Sequence, residues 1–242
     1  MKQNVNNNIL YYYNNRKKPL LRGFFCFKLQ LITLLFTSLF LFSQEKLIKT
    51  REIKFNDIEI NSDGLDDLVI ENSTDNQITI MLLDEQPNTH TIFFDDEING
   101  VLKVGFKLNF DVYKEQIFRK YITKRLQRAK AIIKIPKNKN VIIYGKTIGI
   151  NSNSYKGNLK IYIDKGNVRL NKVNGNTLVT LFLGNVYGQL RKNSTINIKT
   201  NKGEISINKT KHKEHLYKIL TKNAVSNFNV RSINANVFLI TE

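Results

Sequence analysis

A short pattern of alternating aliphatic residues, broken by glycine, recurs three times between residues 158 and 208. In each copy, one alternating run precedes Gly-Asn or Gly-Glu and a second alternating run follows. The corner glycines, 18 and then 19 residues apart, are Gly166, Gly184 and Gly203. Because one such unit is too small to bury its own apolar face, the repeat predicts units that stack on one another.

The repeat favours a single-stranded β-solenoid-like array with glycine at positive φ in each corner. Residues 141–150 read as a degenerate fourth copy, and residues 230–240 are expected to cap the array. Gly-Asn between alternating runs is also a hairpin signal, so an antiparallel sandwich or meander stays open as the alternative. The stacked arrangement predicts a buried column that contains Ile161, Val179 and Ile198.

The rest of the chain after residue 43 divides into segments that differ in the spacing of their apolar residues. Residues 44–110 carry β-branched and aromatic runs separated by Asn, Asp and Gly clusters, which predicts N-terminal strands leading to the repeat region at 131–242. Between them, residues 111–130 place apolar side chains three and four apart, as on one face of a helix. This basic amphipathic helical segment or connector holds the candidate ligand-binding residues, which are Arg119, Lys120, Lys124, Arg125 and Arg128. Solvated charges around a packed helix are the alternative reading of the same pattern.

Residues 1–43 have the organisation of a secretory signal with a long polar leader. An uncharged apolar stretch at 29–42 follows basic residues and ends at Ser43. Its 14 residues fall short of the 20 or so that a membrane-spanning helix needs, so cleavage after Ser43 is expected and the mature chain has no transmembrane span. The predicted destination is the periplasm, the outer surface or the extracellular medium.

The net charge of +18 favours anionic partners such as acidic glycans or a lipid surface. Asn, Lys and Ile are abundant together, however, as AT-rich coding would produce whatever the function. Cys26, the one cysteine, precedes the expected cleavage point, so the mature chain has no disulfide and no cysteine metal site. Export argues against nucleic acid as a partner.

No motif predicts catalysis, a metal or a cofactor. The stretch from Glu59 to Leu68 has oxygen donors ahead of a glycine, but it lacks the terminal glutamate of a calcium hand and is read as a turn. Residues 95–97 (Asp-Asp-Glu) are read as an exposed loop rather than a pair of glycosidase carboxylates. His90, His212 and His215 show no metal-ligand spacing.

The three corners carry a family resemblance. Gly166-Asn167-Val168, Gly184-Asn185-Val186 and Gly203-Glu204-Ile205 resemble the recurring Gly-Asp-Ile/Val corner of bacterial auto-transporter-adhesin-like β-solenoid domains. The resemblance covers residues 129–242 well and 44–110 by general character. Asn or Glu stands where the family has Asp, although Asn has the same local turn chemistry. The resemblance implies an exported, adhesin-like surface role and no catalytic residues.

The sequence therefore predicts an exported cell-envelope protein that is not an enzyme. Its β-rich domain, residues 44–242, is expected to present a basic repeat surface to an anionic glycan, a lipid surface or an envelope protein. The alternative is a carbohydrate-active enzyme on a β-solenoid that acts on an acidic polysaccharide.

Overall fold

The computed structural model describes residues 45–84, 90–96, 99–108 and 129–242. All regular secondary structure in these ranges is β, which confirms the all-β part of the predicted fold class. The strands are β1 (Glu45–Glu52), β2 (Asp57–Asn61), β3 (Asp67–Asn72), β4 (Gln77–Asp84), β5 (His90–Asp96), β6 (Val101–Leu108), β7 (Ala129–Ile135), β8 (Asn140–Thr147), β9 (Gly149–Asn153), β10 (Asn158–Asn171), β11 (Thr177–Leu190), β12 (Ser194–Lys199), β13 (Ile205–Ile207), β14 (Thr210–His212), β15 (Leu216–Ile219) and β16 (Ser226–Thr241).

The sixteen strands form one mixed sheet with two rows. The first row runs β5-β6-β2-β8, and the second runs β1-β4-β7-β3-β9. Both rows meet at β10, whose first half pairs with β8 and whose second half pairs with β9. The long strands β10, β11 and β16 therefore contribute to both rows, and β12 and β13 continue the two rows on the far side of β16.

The first two repeat copies lie in the predicted register. Strands β10 and β11 pair in parallel, with Ile161 opposite Val179 and Val168 opposite Val186. Each strand continues through its Gly-Asn pair, so that pair does not form a hairpin turn and the meander interpretation is wrong for these copies. The 18-residue offset therefore corresponds to one step between neighbouring strands.

The third copy lies one step further away than the sequence suggested. Strand β16 pairs in parallel with β11 on one side and with β12 and β13 on the other. Val230 consequently separates Val179 from Ile198 in the buried column. The expectation that residues 230–240 cap the array is wrong, because this segment is an interior strand.

Antiparallel strands close both ends of the sheet. At one end β5 pairs with β6, and β1 and β4 continue from β7. At the other end β15 pairs with β12, and β14 with β13. The structure is thus a mixed sheet with antiparallel ends instead of a uniform single-stranded array. The predicted helical segment at 111–130 lies outside the described residues, apart from Ala129 and Lys130, which begin β7.

Aliphatic side chains from both rows form a single core. All its buried residues lie between Ile53 and Leu239, so residues 44–242 contain the complete described core and form one compact unit. In the second row, Ile150, Val168, Val186 and Val237 are all fully buried and follow one another from strand to strand. Burial of β-branched side chains in parallel strands is the main stabilising contribution in this architecture.

Candidate functional site

A ladder of asparagine side chains crosses the first row of strands at their N-terminal ends. Asn140 Nδ2 donates to Asp57 Oδ1 at 2.8 Å, and Asn158 Nδ2 donates to Asn140 Oδ1 at 2.8 Å. Asn158 Oδ1 then accepts the Asn176 backbone N–H at 3.0 Å. Asn176 Oδ1 accepts both the backbone N–H and the Nδ2 of Asn227, at 3.0 and 3.2 Å. We call these five residues the asparagine ladder.

The ladder forms because parallel, in-register pairing places like residues side by side. Asn158 lies opposite Asn140, and the next asparagine, Asn176, precedes β11 by one residue. Asn227 reaches the same line from a segment 51 residues further along the chain. Neighbouring strands lie about 4.8 Å apart, so successive amides recur at that spacing.

A groove of about 500 Å³ runs alongside the ladder. All five ladder residues line it, together with outward-facing side chains of the adjoining strands. Ile142 and Leu178 contribute apolar surface, and the exposed Lys160 and Arg231 contribute positive charge. Within the described part of the chain, neither cation has an ion-pair partner. We call this the asparagine groove.

The asparagine groove combines three kinds of contact for a ligand. Each ladder amide has two N–H donors, and the ladder uses at most one of them, so donors remain for a ligand. Lys160 and Arg231 add charge-assisted donors, of which the guanidinium can bind a carboxylate through two N–H groups. Beside the groove the rings of Tyr144 and Tyr162 stack with centroids 5.4 Å apart, and Tyr144 is exposed.

The chemistry of the groove favours binding over acid–base catalysis. Asp57 is its one carboxylate among the described lining residues, and this group already accepts the Asn140 amide. Glycoside hydrolysis by the common mechanisms uses two carboxylates on either side of the scissile bond. A polar, cationic groove with repeated amides is instead suited to a polymer with regularly spaced oxygen groups.

The three predicted corner glycines lie along one line of the sheet. Gly166 and Gly184 are paired neighbours with φ of 147° and 141°. A Cβ on Gly184 would lie 1.8 Å from the Gly166 carbonyl oxygen, and one on Gly203 would lie 1.7 Å from that of Ala235. Only glycine therefore allows neighbouring backbones to approach this closely at these positions.

The predicted ligand-binding residues of the basic segment are not among the residues that the structure describes. Arg119, Lys120, Lys124, Arg125 and Arg128 lie outside the described residues, and their role stays a prediction. The groove residues were missed because asparagine was attributed to coding background. The signal that identifies them is the recurrence of asparagine at 140, 158 and 176, in step with the repeat.

Two further asparagine series follow the second row and the corner. Asn153 Nδ2 donates to Glu71 Oε1 at 3.0 Å, and Asn171 continues that series. At the corner the series comprises Asn167, Asn185 and Asn236, with successive amide contacts of 2.9 and 3.1 Å. The Asn236 Oδ1 then accepts the Glu204 backbone N–H at 2.9 Å. Asparagine thus stabilises strand stacking at three separate lines.

The acidic stretch at 59–68 comprises the end of β2, a turn and the start of β3. The Asp63 backbone N–H donates to Asn61 Oδ1 at 3.0 Å, and Gly64 follows with φ of 92°. The Gly64 carbonyl oxygen lies 3.0 Å from Nε2 of the buried His90, whose Nδ1 lies 2.5 Å from Asp84 Oδ2. This histidine therefore connects a turn to a strand, a role that the sequence did not indicate.

Two of the other residues considered for catalysis or metal binding also make contacts within the fold. Asp96 of the Asp-Asp-Glu stretch forms an ion pair with Arg51 across to β1. His212 packs against the Tyr217 ring at 4.6 Å. Among the residues that the structure describes, no group of three or more His, Cys, Asp or Glu side chains is arranged to hold a metal ion. The described ranges also contain no helix with the length and apolarity to cross a membrane.

Comparison with known proteins supports the fold. A crystal structure named "putative cell adhesion protein" from Clostridium sporogenes superposes with a TM-score of 0.62 at 15% identity, covering 83% of this chain and 100% of the other. A "putative adhesin" from Bacteroides fragilis gives a TM-score of 0.35 at 9% identity, covering 81% of this chain and 98% of the other. No protein-family model and no curated protein sequence matches the chain. The Clostridium structure shows that this fold occurs in a bacterial protein of known structure.

Proposed function

We propose that the protein is a non-catalytic binding module of the bacterial cell envelope, and that its asparagine groove binds an anionic glycan. The observation that carries the proposal is the alignment of five hydrogen-bonded polar side chains beside two unpaired cations in one groove of about 500 Å³. Amides recurring strand by strand match a polymer whose hydroxyl and carboxylate groups also recur. Lys160 and Arg231 select for negative charge.

The wider context of this proposal comes from several sources. The predicted signal at 1–43 supports export to the periplasm, the outer surface or beyond. The corner resemblance and the name of the Clostridium neighbour both support an adhesin-like role. The solenoid-like description of the stacked strands belongs to the same proposal, supported by the parallel register of β10, β11 and β16. The basic segment with Arg119, Lys120, Lys124, Arg125 and Arg128 is a second contact surface for the same anionic polymer.

The test measures binding of residues 44–242 to polygalacturonate, an acidic polymer, and to dextran, a neutral one. We expect binding to polygalacturonate alone, weakening as salt is raised. The double variant Lys160→Gln/Arg231→Gln should weaken it by about tenfold or more, because each lost charge-assisted hydrogen bond contributes about 1.5–3 kcal/mol. The matched control, Lys146→Gln/Lys156→Gln, removes the same charge from exposed sites outside the groove.

Equal weakening by the two double variants would reduce the effect to net charge and overturn the groove as the site. Incubation with polygalacturonate also tests the enzymatic alternative, because a lyase or hydrolase releases shorter chains with new end groups. A binding module leaves the chain length of the polymer unchanged.

A further inference from the structure

The end of the sheet formed by residues 208–225, here called the C-terminal cap, is strongly basic. It contains five lysines and one glutamate within 18 residues. The lysines, all of them exposed, are Lys209, Lys211, Lys213, Lys218 and Lys222. The one ion pair of a cap lysine among the described residues joins Lys211 to Glu204 at 3.1 Å. Most of this positive charge therefore faces solvent without compensation.

The C-terminal cap also exposes large apolar side chains beside those lysines. Leu220 is 74% exposed, Leu216 53%, Val225 50% and Ile219 41%. The turn next to Leu220 is attached to β12, since the Thr221 hydroxyl donates to the Ser194 carbonyl oxygen at 3.1 Å. Tyr217, on the same short strand, packs against the core. The exposed leucines thus project from an anchored turn and strand.

Exposed aliphatic residues among lysines are the combination that binds an anionic bilayer. Lysines near the surface are attracted to acidic headgroups, and the aliphatic side chains enter the boundary between headgroups and acyl chains. We infer that the C-terminal cap binds the surface of an anionic lipid bilayer, with Leu220 inserting into the interface. This site is separate from the asparagine groove, and the inference does not depend on glycan binding.

A protein partner that adds a strand to β15 explains these features less well. Strand β15 has only four residues, and it carries Lys218 on its edge. Short edges and edge lysines are features that oppose strand addition. The charge also argues against a second copy at this surface, because two caps would bring their uncompensated lysines together.

The opposite end of the sheet provides an internal comparison. There, Lys49 donates to the Ile92 carbonyl oxygen at 2.9 Å, and Arg51 is paired with Asp96. Both cations also lie over the Phe94 ring, at 5.3 and 5.8 Å. Lys49, Arg51 and the Phe94 ring are thus engaged within the fold, whereas Leu220 and most lysines of the C-terminal cap face solvent.

The experiment uses the absence of tryptophan from the chain. In residues 44–242, Leu220→Trp places a single emitter on the cap, and Tyr187→Trp places one on the second row as the control. Each protein is mixed with vesicles of phosphatidylcholine alone, or of phosphatidylcholine with 30% phosphatidylglycerol. We expect a blue shift, and quenching by brominated acyl chains, only for Leu220→Trp and only with phosphatidylglycerol present.

Charge variants then measure the electrostatic contribution by co-sedimentation. Each surface lysine removed should weaken binding by about fivefold, so Lys218→Gln/Lys222→Gln should weaken it by roughly 25-fold. Lys146→Gln/Lys156→Gln, at exposed positions outside the C-terminal cap, is the matched control and should have a much smaller effect. The inference is overturned by equal binding to neutral vesicles, by a blue shift at Tyr187→Trp instead, or by an equal or stronger effect of the Lys146→Gln/Lys156→Gln variant. It is also overturned if Leu220→Trp responds through self-association, seen as a mass that rises with protein concentration without lipid.

Discussion

The middle of the sheet and its ends are assembled by different rules. In the middle, β10, β11 and β16 pair in parallel, so aliphatic, glycine and asparagine positions each fall into lines across the strands. At the ends the added strands are antiparallel, and each contact there occurs once. A repeated sequence can therefore specify the interior, while the closing of the edges requires particular residues. The outermost strand β15 is short and carries Lys218, features that oppose pairing with other chains.

The strongest test of the comparison is removal of the largest buried side chain in the interposed strand. Phe228 of β16 is fully buried. We expect Phe228→Ala to lower the free energy of unfolding by about 3–5 kcal/mol, because the cavity lies where β11 and β12 are held together. Leu220→Ala at the C-terminal cap should change it by no more than about 0.5 kcal/mol. Chemical denaturation measures both, and comparable losses would erase the distinction between middle and end.

The next largest difference in stability is expected between substitutions at two glycines, one in the middle of the sheet and one near its end. Gly184→Ala places a Cβ against the Gly166 backbone at an unfavourable φ, so we expect a loss of about 3 kcal/mol or more. Gly100, in the turn between β5 and β6, also has a positive φ, of 76°, but a Cβ there meets only Phe55 at 3.6 Å. Gly100→Ala should therefore cost about 1 kcal/mol. Thermal unfolding of both variants tests the order, and a larger loss at Gly100 would contradict the close-packing argument.

The sequence predicted the parallel pairing in the middle of the sheet better than it predicted the arrangement towards the ends. The 18-residue offset identified the pairing of β10 with β11, because both copies keep glycine at the corner. The sequence analysis did not identify β16 as a further copy of the repeat, because Ala235 occupies the position where the other copies have glycine. Its Ala-Asn-Val at 235–237 nevertheless aligns with Gly-Asn-Val at 184–186. A local sequence pattern predicts the unit that stacks. The order of the units in space depends on long connections, and no local pattern encodes that order.

The candidate site was predicted less well than the fold, for a related reason. Asparagine is frequent throughout the chain, so a composition argument treats each one alike. The 18-residue spacing of Asn140, Asn158 and Asn176 is visible in the sequence, but only the register adds Asn227 to their line. Lys160 and Arg231 are 71 residues apart in sequence and join the same groove because β16 returns beside β11.

A smaller effect is expected at the connection between β9 and β10. Tyr155 is buried there, and its hydroxyl donates to the Lys139 carbonyl oxygen at 3.1 Å. Burial raises the pKa of this phenol well above its ordinary value of about 10. The folded state thus keeps a proton that the unfolded state loses, so this contribution to stability is present below pH 10 or so and declines as pH rises further.

Tyr155→Phe tests that contribution. Near neutral pH it should lower the free energy of unfolding by about 1 kcal/mol through the lost hydrogen bond. The variant should also lose less stability than the parent as the pH rises above about 10, since no phenol remains to ionise at this position. Denaturant titrations at a series of pH values measure the difference, and parallel pH profiles for parent and variant would contradict it.

The smallest effect concerns the asparagine ladder, and it distinguishes a coupled line from a set of independent polar residues. Asn140→Ala and Asn158→Ala each remove one partner of a 2.8 Å contact at an exposed position, so each should cost about 0.5 kcal/mol. In a double-mutant cycle the pair should show a coupling of a few tenths of a kcal/mol, because the second substitution removes a bond already broken. Asn229 lies in the groove but three strands from Asn140. It is the control residue, and no measurable coupling with Asn140 is expected.

Equal coupling in both cycles would mean that groove substitutions act through a general change in the sheet. A coupling confined to neighbouring ladder residues would mean that one kind of side-chain contact, repeated from strand to strand, helps to hold the middle of the sheet in register. The ends of the sheet keep their register without such a repeated contact.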